Sequence, residues 1–220
     1  MRHFEEQLDQ LRKRLLEMSG LVEFAIYSSA VALAERDEAQ ARRVLDNESR
    51  INNMQIEIDE LATRLLALEQ PVARDLRFIT AAIKINSDLE RMGDLAVNIA
   101  ERSISLARTL AVRPLIDVPR LADLAESMVR KALDAFVKGD ADLARSVLVS
   151  DDAVDELRDG MYHELVSYMQ RDPAAVRQSV DLMFVAHDLE RIADHATNIA
   201  EVALYLVEGI DVRHHAEVRK

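Results

Sequence analysis

The chain has 220 residues, 49% of them apolar, with 40 acids against 28 bases and a formal charge of −12. No basic stripe overcomes that charge, which argues against DNA or RNA as a direct ligand. The absence of cysteine removes disulfides, thiolate metal sites and cysteine nucleophiles together.

Five glycines and four prolines leave little material for a turn-rich β protein, while Ala, Leu, Glu and Arg are abundant and suit helices. The opening segment, MRHFEEQLDQLRKR, is a charged amphipathic stretch and not a secretion signal. Helical periodicity predicts helices near 3–35, 38–69, 72–110, 118–138, 140–170 and 174–208. The first carries apolar positions Leu8, Leu11, Leu15, Val22, Ala25 and Ile26, which suit a bundle core or a homodimer seam equally. Its longest nearly charge-free run, Phe24 to Ala34, falls well short of the ~20 residues a bilayer span needs. A soluble, intracellular protein without membrane insertion is expected. Pro71 and Pro173 stand where a helix would begin, and Pro114 and Pro119 bracket a linker. Arg36-Asp37 and Gly139-Asp140 mark matching turns, and short turns imply antiparallel neighbours. The expected fold is all-α: six helices in two tandem, pseudo-symmetric three-helix bundles, spanning 1–112 and 113–210, with a frayed tail at 211–220.

The third and sixth helices carry one sentence written twice. Residues 88–101 read DLERMGDLAVNIAE and residues 188–201 read DLERIADHATNIAE, with ten of fourteen positions identical. Such a repeat marks one supersecondary unit used twice. On a helical wheel Leu89, Met92, Ala96, Ile99 and Ala100 gather on one face, the core stripe. Glu90, Asp94, Asn98 and Glu101 gather in an arc of about 80° on the other side. Glu190, Asp194, Asn198 and Glu201 repeat the arrangement. Acids four residues apart repel within a helix, and this sequence accepts the cost twice.

The second helix of each half has a matching row: Glu48, Asn52, Gln55 and Asp59, then Asp151, Asp155 and Asp159. Counting back from the turns near Gln70-Pro71 and Arg171-Asp172 pairs 48 with about 93 and 52 with about 89. The same count pairs 151 with about 192 and 155 with about 188. Oxygen donors from two helices then meet in each half, a donor set that hard or borderline cations prefer. The plain alternative is a solvated face opposite a core stripe. Arg91 and Arg191, next to the acids, offer surface pairs of little energetic weight. His187 lies three residues before Glu190 on the same side and is the better histidine candidate; His214 and His215 in the tail are incidental. Catalysis is not expected: no Glu-x-x-His, Gly-rich phosphate loop or nucleophile elbow is present.

Two three-helix bundles, each with Asp-Leu-Glu-Arg-x-x-Asp-x-Ala-x-Asn-Ile-Ala-Glu on its third helix, resemble the PhoU family of phosphate-uptake regulators. Residues 44–79, VLDNESRINNMQIEIDELATRLLALEQPVARDLRFI, are also similar to that family's second helix and hairpin. The resemblance implies a cytoplasmic negative regulator of the phosphate-starvation response. Its implied partners are the ATPase subunit of a phosphate ABC transporter and a sensor histidine kinase. It further implies a multinuclear iron or zinc cluster held by Glu90/Asp94, Glu190/Asp194, Asp151/Asp155 and, imperfectly, Glu48/Asn52, where asparagine departs from the acidic pattern. A metal-free helical scaffold whose acidic faces dock basic surfaces stays open beside it.

Overall fold

The computed structural model describes residues 2–109 and 117–209, and among them there are six α-helices and no strand. They are α1 (Arg2–Glu35), α2 (Glu38–Glu69), α3 (Ala73–Ala107), α4 (Val118–Lys138), α5 (Ala141–Arg171) and α6 (Val176–Glu208). The expected tail at 211–220, with His214 and His215, lies outside the described residues, as does Pro114.

The turns form for local reasons. Asp37 and Asp140 are N-caps whose carboxylates accept from backbone N–H groups, Ala39 and Gln40 in one case and Leu143 in the other. Gly139 takes the left-handed conformation that ends α4, at a φ of 65°. Arg36 adopts the same region at 57° without glycine's freedom. Its guanidinium donates to the Leu106 and Thr109 carbonyls at 2.6 and 2.9 Å, so the strained turn also seals the end of α3. Two expectations shift. Pro173 opens a short 3-10 turn (Pro173–Ala175) rather than α6 itself, and Pro119 lies in the first turn of α4 rather than in the linker. Proline needs no N–H partner there, so the helix starts ahead of it.

α1, α2 and α3 pack mutually as one bundle, and α4, α5 and α6 as the other. The bundles join mainly along α3 and α6, with a smaller contact between α1 and α4. Asp88 meets His195 while Arg102 meets Asp181, so α3 and α6 run antiparallel. Met92 and Ile192, equivalent positions of the repeat, are both completely buried. Phe78 of α3 stacks on Phe136 of α4, ring centroids 5.8 Å apart, and fastens the bundles at one end. Among the described residues α1 is the most apolar stretch by window. Its stretch His3–Glu35 includes an 18-residue window of mean hydropathy 1.3, long and apolar enough by composition to cross a membrane, and half of that window is buried in the fold. Counting only charge-free residues overlooks such a window, which tolerates isolated glutamates. Leu16, Phe24 and Tyr27 lie exposed on its outer side.

The α2–α3 hairpin has the register counted from the sequence, to within a helical turn. Asn86 donates to the Gln55 carbonyl and to Asp59, each at 2.9 Å, and Ile51 lies against Gly93. A Cβ on Gly93 would sit 3.2 Å from both Cδ1 and Cγ2 of Ile51. In the second half the corresponding residues are Ala193 and Val154, a methyl more on one helix and a methyl less on the other. Gly93→Ala therefore overpacks a completely closed site, and its steric cost exceeds the gain in helix propensity, a net loss of about 1 kcal/mol. Ile51→Val in the same chain should recover most of that loss in denaturant titrations. Strict additivity of the two substitutions would show that the contact is not what matters.

Candidate acidic site

The acids of the two sentences do not share one environment. Glu90 is half-buried, and Asp94, Asn98 and Glu101 are exposed, in keeping with an outward arc. Burial first and then Asp94's negative charge raise the Glu90 carboxyl above its ordinary value, with Arg91 and His195 opposing. On α2, Glu48 is half-buried, and Asn52 is half-buried with its Oδ1 enclosed and without a hydrogen-bond partner.

The second half is more tightly built. Asp194 and Asn198 are exposed, but the Glu190 side chain is only 13% exposed and Glu201 is buried. The expectation that the whole arc faces away from the core fails at those two residues. α6 is packed by α3, α4 and α5, so more than one of its faces is enclosed. Asp151 and Asp155 are half-buried on α5. Between α5 and α6 lies Arg158, which no sequence expectation singled out. Its guanidinium pairs with Glu190, with Asp155 at 3.1 Å and with Asp159 at 3.0 Å. Burial works against its charge, and the hydrogen bond to Asp159 with the charges of Glu190, Asp155 and Asp159 outweighs burial, so its pKa is raised. The signal was present: Arg158 follows Asp151 and Asp155 by seven and three residues and so shares their face. The first half has Gln55 at that position.

His187 does face Glu190, with Nδ1 3.4 Å from Oε2, but the approach is long and that oxygen has no sound hydrogen bond. Although Asp194 is exposed as a residue, partial enclosure of its carboxylate first, then the charges of Glu190 and Asp155, hold it above its ordinary 3.8, with His195 and Arg158 opposing. Asp194 thus feels two carboxylates, Glu190 and Asp155, that are themselves paired with Arg158. Among the described residues no three His, Asp or Glu side chains converge so as to hold a metal ion. The oxygen chemistry suits a hard cation, yet with Arg158 in place the side chains do not fit a multinuclear cluster.

The first residue of each sentence has a role the helical wheel did not assign. Asp88 Oδ1 meets His195 Nδ1 at 2.9 Å and Asn198 Nδ2 at 3.4 Å, across the two bundles. Its equivalent Asp188 is buried, 3.9 Å from the Arg102 guanidinium, which also reaches Asp181 at 3.3 Å and covers the Phe184 ring at 4.2 Å. Burial raises the Asp188 carboxyl, with Arg102 the strongest opposing charge.

Comparison with known proteins places this arrangement in a family. The PhoU domain model matches residues 15–103 and 118–203, once in each bundle. Proteins of Pseudomonas putida and Pseudomonas aeruginosa named phosphate-specific transport system accessory protein PhoU homolog are each 42% identical over 96% of this chain, covering 83% and 88% of their own lengths. The crystal structure of PhoU from Pseudomonas aeruginosa superposes with a TM-score of 0.92 at 41% identity, covering 94% of this chain and all of that one. The phosphate transport system regulatory protein PhoU from Streptococcus pneumoniae gives 0.86 at 30% identity over 95% of this chain and 99% of that one.

Two outcomes test the electrostatics. Arg158→Ala leaves the largely buried Glu190 without its cation and should cost about 1–3 kcal/mol at neutral pH. Glu190→Gln in the same chain should recover part of the deficit; a deficit unaltered by that second substitution would mean the arginine acts only by packing. For Asp194 the folded pKa is raised, so its contribution to stability is complete below its ordinary value and is lost as pH rises through the folded value. Asp194→Asn should abolish that loss and flatten the dependence of Tm on pH above about 3.9. An unchanged profile would contradict the coupling to Glu190 and Asp155.

Proposed function

This chain belongs to the PhoU family, and from that premise we propose that it is a cytoplasmic, non-catalytic regulatory adaptor of phosphate uptake. In this reading it lowers the phosphate-starvation response by linking the ATPase subunit of a phosphate ABC transporter to a sensor histidine kinase. The observation that carries the proposal is similarity along nearly the whole chain to accessory proteins of phosphate-specific transport systems, at 42% identity. The physical arrangement supports it. Two bundles share one long interface, and each presents carboxylates on helices that its neighbours hold in register. A net charge of −12 on such a body favours approach to basic partner surfaces and raises the rate of encounter.

A metal-loaded state of the same acids is a second reading. It is favoured by enclosed oxygens that lack hydrogen-bond partners, Glu190 Oε2 in one half and Asn52 Oδ1 in the other. In the second half it requires Arg158 to swing out of the carboxylates. Glu90, Asp94, Glu190, Asp194, Asp151 and Asp155 are then the first residues to test, with Glu48, Asn98, Asn198 and His187 beside them.

Deleting the gene should switch on phosphate-starvation genes in phosphate-rich medium, measured with a transcriptional reporter; a silent reporter would refute the regulator reading. Elemental analysis of untagged protein prepared without chelators should find bound iron or zinc if the second reading holds. Metal content that is unaltered by Glu190→Ala with Asp194→Ala would remove those residues from any such site.

A further inference from the structure

A cleft of about 710 Å³ opens at the end of the molecule where the start of α3 meets the N-terminal part of α1 and the ends of α4 and α6. Its volume is in the range of small-molecule sites. In a chain that carries −12, its charged lining is mostly cationic: Arg12, Arg74, Arg77 and Lys138, against Asp75 alone. Two of these cations are engaged, Arg12 with Asp9 at 3.0 Å and Lys138 with Asp134 at 2.8 Å. Arg74 and Arg77 have no ion pair among the described residues, and Arg77 Nε is enclosed without any hydrogen-bond partner. With no carboxylate paired to them, these two guanidiniums are available to an oxyanion, the acceptor that arginine's fork fits best.

The backbone adds to the same field. Val72, the N-cap of α3, gives no side-chain cap, and Ala73 after it takes a φ of +48° that an alanine adopts only under strain. The open, electropositive end of α3 therefore stands beside Arg74 and Asp75 at the mouth of the cleft. The floor includes Phe78, over whose ring Arg12 sits at 5.0 Å from the centroid. By helix rise Arg77 is about 20 Å along α3 from Glu90, so this region is separate from the acidic site.

We propose that the cleft is a binding site for a phosphorylated small molecule, with Arg74 and Arg77 as ligands of its phosphate groups and Arg12 and Lys138 on the rim. The volume favours a phosphate carried on a larger molecule over orthophosphate alone. Because α1, α3, α4 and α6 all line the cleft, such a ligand touches both bundles at once. The site does not depend on the adaptor reading above.

Isothermal titration of the full chain with ATP, and separately with orthophosphate, tests it, without divalent ions so that the acidic site stays silent. Binding should weaken about tenfold or more on Arg74→Ala and again on Arg77→Gln, and should be unaffected by Lys84→Ala, which removes an exposed cation elsewhere on α3. ATP binding tighter than orthophosphate identifies the larger ligand class; orthophosphate binding as tightly identifies the free anion as the source. No binding of either at millimolar concentration overturns the proposal. So does binding that ignores Arg74 and Arg77 in variants whose helical circular dichroism is intact. Binding of poly-glutamate but of neither phosphate compound would assign the cleft to an acidic protein segment and overturn it equally.

Discussion

The antiparallel seam between α3 and α6 is the contact on which everything else hangs. α1 and α2 pack on one of these helices, α4 and α5 on the other, and the two halves meet mainly through this pair. Its charged contacts are Asp88 with His195 and Asp188 with Arg102, and along the two helices the fully buried Met92 and Ile192 fall between them. Buried charge is a poor source of net stability, but a misplaced partner would leave a carboxylate enclosed and unpaired. Sliding one helix along the other by a turn would break both pairs together. The apolar middle supplies the driving force, and the polar flanks decide the alignment.

That seam also explains which parts of the fold the sequence revealed. The 3.6-residue period locates each helix, and the acid N-caps Asp37 and Asp140 mark the turns, because these are local properties of the chain. The doubled sentence carries the two-bundle plan in the chain itself. A helical wheel, however, assigns one core face per helix, and α3 and α6 bury more than one. Asp88, Asp188, Leu95 and His195 fall on the additional face, and their burial is decided by a helix a hundred residues away. Glu190 and Glu201 were read as solvent-facing for the same reason. Arg158 went unread for a different one: its place on the face of Asp151 and Asp155 was visible, but an arginine following two aspartates on a helix usually ends as a surface pair, and only the packing of α5 on α6 turns it into the centre of three carboxylates.

The two acidic faces are consequently not duplicates in chemistry. The first presents Glu90 and Asp94 with no guanidinium across from them, because Gln55 stands where the second half has Arg158. The second holds its charge in check from within. A partner or cation approaching the first face meets carboxylates directly, whereas one approaching the second must compete with an arginine already in place. An adaptor with two unlike faces can engage two unlike partners, which a perfectly symmetric body could not do without confusing them.

The Gly93–Ile51 contact carries this asymmetry into the core, with a consequence for the history of the chain. One methyl group sits on α2 in the first half, and its counterpart sits on α6 in the second, as Ala193, with Val154 at the position equivalent to Ile51. Each helix is now fitted to its own neighbour. Copying the second sentence back over the first would bring alanine to position 93, 3.2 Å from two side-chain carbons of a buried isoleucine. The repeats are thus still legible as copies but no longer interchangeable. Recombination between them is penalised by packing alone, and that leaves each half free to keep diverging.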